Sequence, residues 1–179
     1  MKGIIFTELI EMTESTFGDE IAERMIMESG THSNGVYTAV GTYEFAELGA
    51  LVHSLSQITH MDLPTLLRAF GRHLFGSFLR LYPAYFQRCQ TSFEFLSSIE
   101  DHIHVQVRKL YPDAELPHFQ TSVNEEKNHM IMTYTSARNL ADLACGLIES
   151  TLQHYNENGT ITRMHDTGNE SVFFHIDLL

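Results

Sequence analysis

The pattern of apolar residues changes at Pro112, and this change constrains the fold more than any single motif. Before Pro112, apolar side chains recur at the spacing of amphipathic helices. After it, two pairs of short segments predict β-hairpins, with a helix rich in small residues between them. We therefore predict an α+β fold with a mainly helical N-terminal part, followed by a four-stranded antiparallel sheet whose two hairpins flank an inserted helix.

The predicted boundaries follow from caps, prolines and turn residues. Helices are predicted over residues 7–27 (with a break at Gly18-Asp19), 43–59, 65–81, 91–110 and 139–155. Strands are predicted over residues 116–123, 129–134, 160–164 and 171–176, and the second hairpin is predicted to turn at residues 166–169. Pro64 suits the first turn of its helix, whereas Pro83 is expected to end or kink that helix.

The composition narrows the range of partners. The formal net charge is −12, so the phosphates of nucleic acid and an anionic lipid surface would be repelled. Hydrophobic residues make up 43% of the chain, which indicates a folded domain, yet no run approaches the roughly 18–20 apolar residues of a membrane span. No cleavage site follows the short apolar N-terminus, and Cys89 and Cys145 form no disulfide or zinc pattern. We expect one cytoplasmic domain of 179 residues.

His104 lies on the predicted helix 91–110, at the edge of an apolar arc. On an α-helical wheel this arc consists of Leu96, Ile99, Ile103, Val107, Leu110 and Tyr111, with Glu100 also inside it. His102 points well away from the arc, so the two histidines are not expected to share one metal. Two interpretations of His104 stay open: an axial ligand for heme iron that faces an apolar cavity, or a boundary histidine that hydrogen-bonds a carbonyl group.

Tyr134, Ser136 and Arg138, which we call the clamp, form a candidate anion site. In an extended segment alternate residues point to one face, and a guanidinium with two hydroxyl groups suits a carboxylate. The helix that follows also favours an anion at its N-terminus. The alternative is a polar strand end with a surface arginine. Together with His104, the clamp supplies what a protein needs to hold heme by its propionates and by its iron.

The order of these motifs resembles the heme nitric oxide/oxygen binding (H-NOX) family, which includes the heme domain of soluble guanylate cyclase. The resemblance covers essentially the whole chain and looks like the stand-alone bacterial form. It is carried by residues 1–6, the helix 98–112, the segment 116–119 and the clamp. It implies a single domain that encloses heme b, with residues 1–62 as an N-terminal helical packet and residues 63–179 as the heme-ligating helices and the sheet.

The resemblance assigns roles to individual residues. His104 matches the axial ligand of ferrous heme iron, and the clamp matches the group that binds the propionates. Pro117 and Ile5 match residues that pack against the porphyrin. Some family members also hold a structural zinc ion with cysteines, but Ala141 occupies the region of the first one, so no such zinc is expected here.

Leu143, Leu74 and Leu9 match positions at which O₂-binding family members carry distal hydrogen-bond donors. Bound O₂ gains from such a donor, whereas NO and CO depend on one far less. The resemblance therefore implies an NO sensor that also binds CO and forms little stable O₂ complex. A donor from another position, such as His73, is the alternative source.

The resemblance also implies signalling rather than catalysis. NO is expected to weaken the His104–iron bond and to shift the conformation, which a partner histidine kinase or cyclic-di-GMP enzyme reads. A peroxidase-like heme enzyme is one alternative, but it needs distal acid–base groups. The others are a heme-free interaction module, in which His104 and Arg138 are structural, and a heme carrier.

Overall fold

The computed structural model describes residues 1–165 and 171–179 of the chain. Its helices are α1 (Ile4–Phe17), α2 (Asp19–Ser29), α3 (Phe45–Thr59), α4 (Leu63–Leu81), α5 (Pro83–Gln87), α6 (Ser92–Ser98), α7 (Val105–Leu110) and α8 (Ala141–His154), and a π-helical segment (Ile99–His104) joins α6 to α7. Its strands are β1 (His118–Val123), β2 (His129–Thr135), β3 (Gly159–His165) and β4 (Ser171–Leu178). The predicted turn at residues 166–169 lies outside the described residues.

The predicted helices and strands are present, with shifts of a few residues at their ends. α1 and α2 are separated at Gly18, whose φ of +92° suits a residue without a side chain. Asp62 caps α4 by accepting a hydrogen bond from the backbone N–H of Thr65, and Pro64 lies in the first turn. Helix α4 ends before Pro83 as predicted, although the short α5 that begins there was not predicted.

The first three helices pack around a shared apolar core, which we call the N-terminal core. Helix α4 also contributes to this core. The most buried side chains from the four helices are Phe6, Leu9, Met25, Leu48, Leu51, Leu55, Leu66, Phe70 and Leu74. Residues three and four apart lie on one side of a helix, which is why each helix contributes a single stripe. Because α4 shares this core, the N-terminal helices meet the rest of the domain at an apolar interface.

The strands form an antiparallel sheet in the order β1-β2-β4-β3. The two hairpins therefore meet where β2 pairs with β4. Alternate side chains of these two strands form a second core with α8, and they are Met130, Met132, Tyr134, Val172, Phe174 and Ile176. The predicted α+β class and the helix between two hairpins are confirmed.

Two glycines let α4 and α8 approach closely. A Cβ atom on Gly71 would lie 2.1 Å from the carbonyl oxygen of Leu143, and one on Gly146 would lie 2.1 Å from that of Arg68. Any larger residue at either position would force the helices apart. This contact fixes the position of Leu143 relative to Leu74. Leu74 belongs to the N-terminal core, and Leu143 packs against it.

Candidate functional site

His104 ends the π-helical segment and is 8% exposed, whereas His102 is exposed. The predicted separation of the two histidines is confirmed. The α-helical wheel is nevertheless wrong for Leu110, which is 71% exposed. A π-helix closes its hydrogen bonds over five residues instead of four, so the positions after it are rotated relative to an α-helical wheel. Single π-helical turns inside α-helices are frequent at functional sites.

Glu100 lies one turn before His104, and its carboxylate contacts four groups. Its Oε2 lies 3.0 Å from Nδ1 of His104 and accepts the backbone N–H of Phe119 at 3.1 Å. Its Oε1 accepts a hydrogen bond from Arg108 at 2.8 Å and lies 3.4 Å from Nδ1 of His118. Burial opposes a charge here, but hydrogen bonds from Arg108, His104 and Phe119 outweigh it and lower the pKa of Glu100 to about 2. The carboxylate is therefore ionised at neutral pH.

The contact with Glu100 leaves one nitrogen of His104 for a ligand. A carboxylate only accepts hydrogen bonds, so Nδ1 must carry the proton, and Nε2 keeps its lone pair. Burial lowers the pKa of His104, and the neighbouring Glu100 offsets this only in part, so the imidazole is neutral at pH 7. Metal-bound histidines commonly donate their other N–H to a carboxylate in this way. The alternative interpretation of His104 expected a carbonyl group as its hydrogen-bond partner, but the partner is the Glu100 carboxylate.

The clamp is extended only at its first residue. Strand β2 ends at Thr135, and the chain then turns, with a hydrogen bond from the N–H of Asn139 to the carbonyl oxygen of Ser136. The prediction that strand alternation places all three clamp side chains on one face is therefore wrong beyond Tyr134. The turn itself brings the other two together, because the backbone N–H of Arg138 donates to Oγ of Ser136 at 3.2 Å.

Both clamp hydroxyl groups accept a backbone N–H. The Tyr134 hydroxyl is in a 3% exposed residue and accepts the N–H of Leu140 at 3.0 Å, next to the start of α8. Ser136 accepts from Arg138 as described above. Among the residues that the structure describes, neither hydroxyl group donates a hydrogen bond. Each hydroxyl proton can therefore serve a carboxylate of a ligand.

Arg138 already binds a carboxylate. Its side chain is 15% exposed, pairs with the carboxylate of Glu115 and donates to the Glu115 carbonyl oxygen at 2.8 Å. The Glu115 side chain is 81% exposed, so water can replace Arg138 as its partner if another carboxylate binds there. The guanidinium also lies 5.6 Å from the ring centroid of Phe45 in α3, and it thus contacts the N-terminal helices.

The structure brings together the three leucines assigned to the distal pocket and Ile5, which is assigned to porphyrin packing. Leu9 and Leu74 are each 1% exposed and belong to the N-terminal core, and Ile5 and Leu143 pack against it. These four side chains come from α1, α4 and α8, which are far apart in sequence. The result is one apolar cluster, of the composition that lines porphyrin sites.

Pro117 lies two residues before an aromatic ring that is close to His104. It is half-buried and directly precedes β1. Two residues later, the ring of Phe119 lies 5.7 Å from that of His104 and 5.6 Å from that of Tyr134, measured between centroids. Phe119 therefore connects the two motifs that the sequence singles out, and neither pattern could reveal it.

A buried polar network next to the distal leucines was also missed. Glu8, which is 7% exposed, lies 3.0 Å from Nε2 of His73, and Ser77 donates a short hydrogen bond to the same carboxylate. Glu8 precedes Leu9 in α1, and His73 precedes Leu74 in α4. In the sequence, the signal for this network is Glu8, an acidic residue within the apolar stripe of α1.

The donor set fits heme in three respects. The free Nε2 of the neutral His104 can bind iron, and the guanidinium and hydroxyl groups of the clamp can bind the two propionates. The leucines and Ile5 offer apolar contacts.

The comparisons with known proteins decide the family. A family model described as Haem-NO-binding matches residues 2–163. The chain belongs to this family. No match is found among curated proteins.

Several solved H-NOX structures are similar to the whole chain. The Fe(II) unliganded H-NOX protein from K. algicida is 38% identical, with a TM-score of 0.92 over 100% of this chain and 97% of that chain. The H-NOX protein from S. oneidensis in the Fe(II)NO ligation state is 26% identical, with a TM-score of 0.91 over 100% of this chain and 99% of that chain. The I5F mutant of T. tengcongensis H-NOX is 22% identical, with a TM-score of 0.87 over 99% and 97%, and supports the fold alone.

Family membership confirms several predictions. H-NOX domains bind heme, which is therefore the cofactor, and they are sensor domains rather than enzymes. The peroxidase-like and heme-free alternatives are accordingly set aside. Within the described residues, none of the helices has the length and apolar character needed to cross a membrane.

Proposed function

We propose that this H-NOX domain senses NO, also binds CO, and forms little stable O₂ complex. Ferrous heme, when bound, supplies the iron to which these gases bind. The observation that carries the proposal is the apolar cluster containing Leu9, Leu74 and Leu143, the positions at which a distal donor is expected in O₂-binding relatives. Without a donor, the charge that O₂ draws from iron has no hydrogen-bonding partner, whereas NO and CO lose little.

The histidine next to the cluster supports the same selectivity. Nε2 of His73 lies 3.0 Å from the Glu8 carboxylate, which also accepts the Ser77 hydroxyl. Turning His73 towards a gas molecule would leave a nearly buried carboxylate with one partner fewer, at a cost of about 1–3 kcal/mol. His73 is therefore held by Glu8 rather than available as a distal donor.

On the opposite side, His104 is proposed to hold the iron, and the clamp the propionates. We propose that NO weakens the bond to His104 and frees the helical segment that carries it. Tyr111 and Asp113 follow that segment directly, and both contact Lys2, which lies just before α1 in the N-terminal packet. The Lys2 ammonium lies 3.0 Å from Asp113 and 4.7 Å from the Tyr111 ring centroid.

These contacts offer a route from iron to surface. Thr42 also donates to Asp113 at 2.9 Å, so two parts of the N-terminal packet contact one carboxylate after α7. Movement of this segment, together with relaxation against Pro117 and Ile5, would change how residues 1–62 pack on residues 63–179. We propose that a histidine kinase or a cyclic-di-GMP enzyme in the cytoplasm reads the change.

The test is a set of absorption spectra of the ferrous protein, unliganded, in air, with CO and with NO. We expect a five-coordinate unliganded spectrum, no stable O₂ spectrum, a CO complex and a five-coordinate NO complex. A stable O₂ complex would contradict the selectivity and point to His73. A six-coordinate NO complex that keeps the His104 bond would contradict the release step.

A further inference from the structure

Glu100 is the acidic residue that does not fit the apolar side of its helix. Burying a carboxylate is costly unless it is paired and hydrogen-bonded, and both Glu100 oxygens are fully engaged. The side chain is 18% exposed and receives hydrogen bonds from a ring N–H, a guanidinium and a backbone N–H. Its position is thus fixed from three elements: the π-helical segment, α7 and β1.

We propose that Glu100 is a positioning residue that sets the strength of the bond between His104 and iron. This role rests on the proposed function, in which His104 is the axial ligand. By accepting the Nδ1 proton, the carboxylate fixes the tautomer and the ring orientation, and it shifts electron density towards Nε2. A more basic Nε2 binds iron more strongly, so Glu100 opposes the release that NO promotes.

Arg108 binds the same carboxylate and is expected to have the opposite effect on the His104–iron bond. Its guanidinium donates to Oε1 at 2.8 Å and withdraws charge from the carboxylate that serves His104. Removal of this guanidinium should make Glu100 a stronger acceptor while Oε2 stays held by the Phe119 N–H. Loss of Glu100 and loss of Arg108 are therefore expected to move the His104–iron bond in opposite directions. A purely structural ion pair would predict effects of the same sign.

The test is the iron–histidine stretching frequency in the resonance Raman spectrum of the ferrous, unliganded holoprotein. We expect a lower frequency in Glu100→Gln and a higher one in Arg108→Gln. Heme transfer to excess apomyoglobin should be about 10–100-fold faster from Glu100→Gln, as for other outer partners of metal-bound histidines. Asp101→Asn is the matched control, because Asp101 is the next residue, is exposed, and has no hydrogen bond or ion pair among the described residues.

The outcomes separate this role from the proposed function. A wild-type spectrum without any iron–histidine band, or a band that persists without His104, would overturn the ligand assignment and this role with it. A normal wild-type band that is unchanged in both Glu100→Gln and Arg108→Gln, or shifted the same way in both, would overturn the role of Glu100 alone. If Glu100→Gln fails to retain heme, the upward shift in Arg108→Gln still decides the question.

Discussion

The two sides of the proposed heme site are built in opposite ways. On the His104 side, charged and polar groups lie close together, and the Glu100 carboxylate contacts four of them. On the Leu143 side, the grouped side chains are apolar, and His73, next to Leu74 in sequence, is held by Glu8. In a low-dielectric interior, hydrogen bonds are strong and unpaired polar groups are costly. We therefore propose that one side holds the iron through a bond to His104, and that the other discriminates between gases because it lacks a hydrogen-bond donor.

The largest test of this contrast is His104→Ala, which removes Nε2 from the proposed iron ligand. We expect loss of the five-coordinate ferrous spectrum and the largest fall in heme content after purification. Added imidazole should restore the spectrum, because it can occupy the space that the side chain leaves. Absorption spectra with a heme assay measure both effects.

His102→Ala is the matched control for that experiment. His102 is two residues away on the same helical segment, but its side chain is exposed. Its removal should leave the spectrum and the heme content unchanged. If His102→Ala lost the five-coordinate spectrum while His104→Ala kept it, the assignment of the proximal side would be wrong.

A second test concerns the clamp. Arg138→Ala removes charge-assisted hydrogen bonds that each contribute about 1.5–3 kcal/mol, so heme should transfer to apomyoglobin roughly 10–100-fold faster. Arg24→Ala, in an exposed pair with Glu28 on α2, is the control and should transfer heme at the wild-type rate. Equal rates in the two variants would mean that Arg138 serves only Glu115.

The same contrast explains which parts of the site the sequence could predict. The distal positions of Leu9, Leu74 and Leu143 come from the family resemblance, and the structure adds that these side chains lie in or against one apolar cluster. His104 could be placed on its helix, but the π-helical segment could not be predicted, because its hydrogen bonds depend on packing rather than on a residue pattern. On an α-helical wheel Glu100 therefore falls inside the apolar arc, and the wheel gives no reason for an acidic residue there.

The clamp shows a second limit. Strand geometry holds only at Tyr134, because the chain turns after Thr135, and the hydrogen bond between Ser136 and Arg138 arises from that turn. The prediction that the three residues lie close together therefore rested on the wrong geometry. The fold class was more secure, because the spacing of apolar residues repeats over many positions and a single turn cannot reverse it.

The third test adds what the distal side lacks. Leu143→Tyr places a hydroxyl group at the proposed gas pocket, and a hydrogen bond worth about 1.5 kcal/mol should raise O₂ affinity roughly tenfold. Leu143→Phe is the control for the added volume, because it carries the same ring without the hydroxyl group. The spectrum of the ferrous protein in air should show an O₂ complex for Leu143→Tyr alone. An O₂ complex in both variants would mean that pocket size, not hydrogen bonding, excludes O₂.

The smallest effect should come from the exposed ionic contacts between α4 and α8, the helices that carry Leu74 and Leu143. Glu149 on α8 accepts hydrogen bonds from Arg68 at 2.6 Å and from Arg72 at 2.9 Å, both on α4, and their guanidinium groups outweigh burial and lower its pKa below 4.5. A carboxylate with a lowered pKa stabilises the fold above the unfolded-state value, and this contribution is lost as the pH falls through the folded-state value. Glu149→Gln should therefore lower the free energy of unfolding by about 0.5–1 kcal/mol at neutral pH, with a difference that shrinks below about pH 4.5.

Urea denaturation at a series of pH values measures this difference, and Glu23→Gln, an exposed change on α2, is the matched control. The two close glycine contacts, Gly71 and Gly146, should keep α4 and α8 together in Glu149→Gln, so gas selectivity should not change. A stable O₂ complex in this variant would show that the outer charges help to exclude O₂. The distal side would then depend on charged groups as the His104 side does, and the contrast between the two sides would fail.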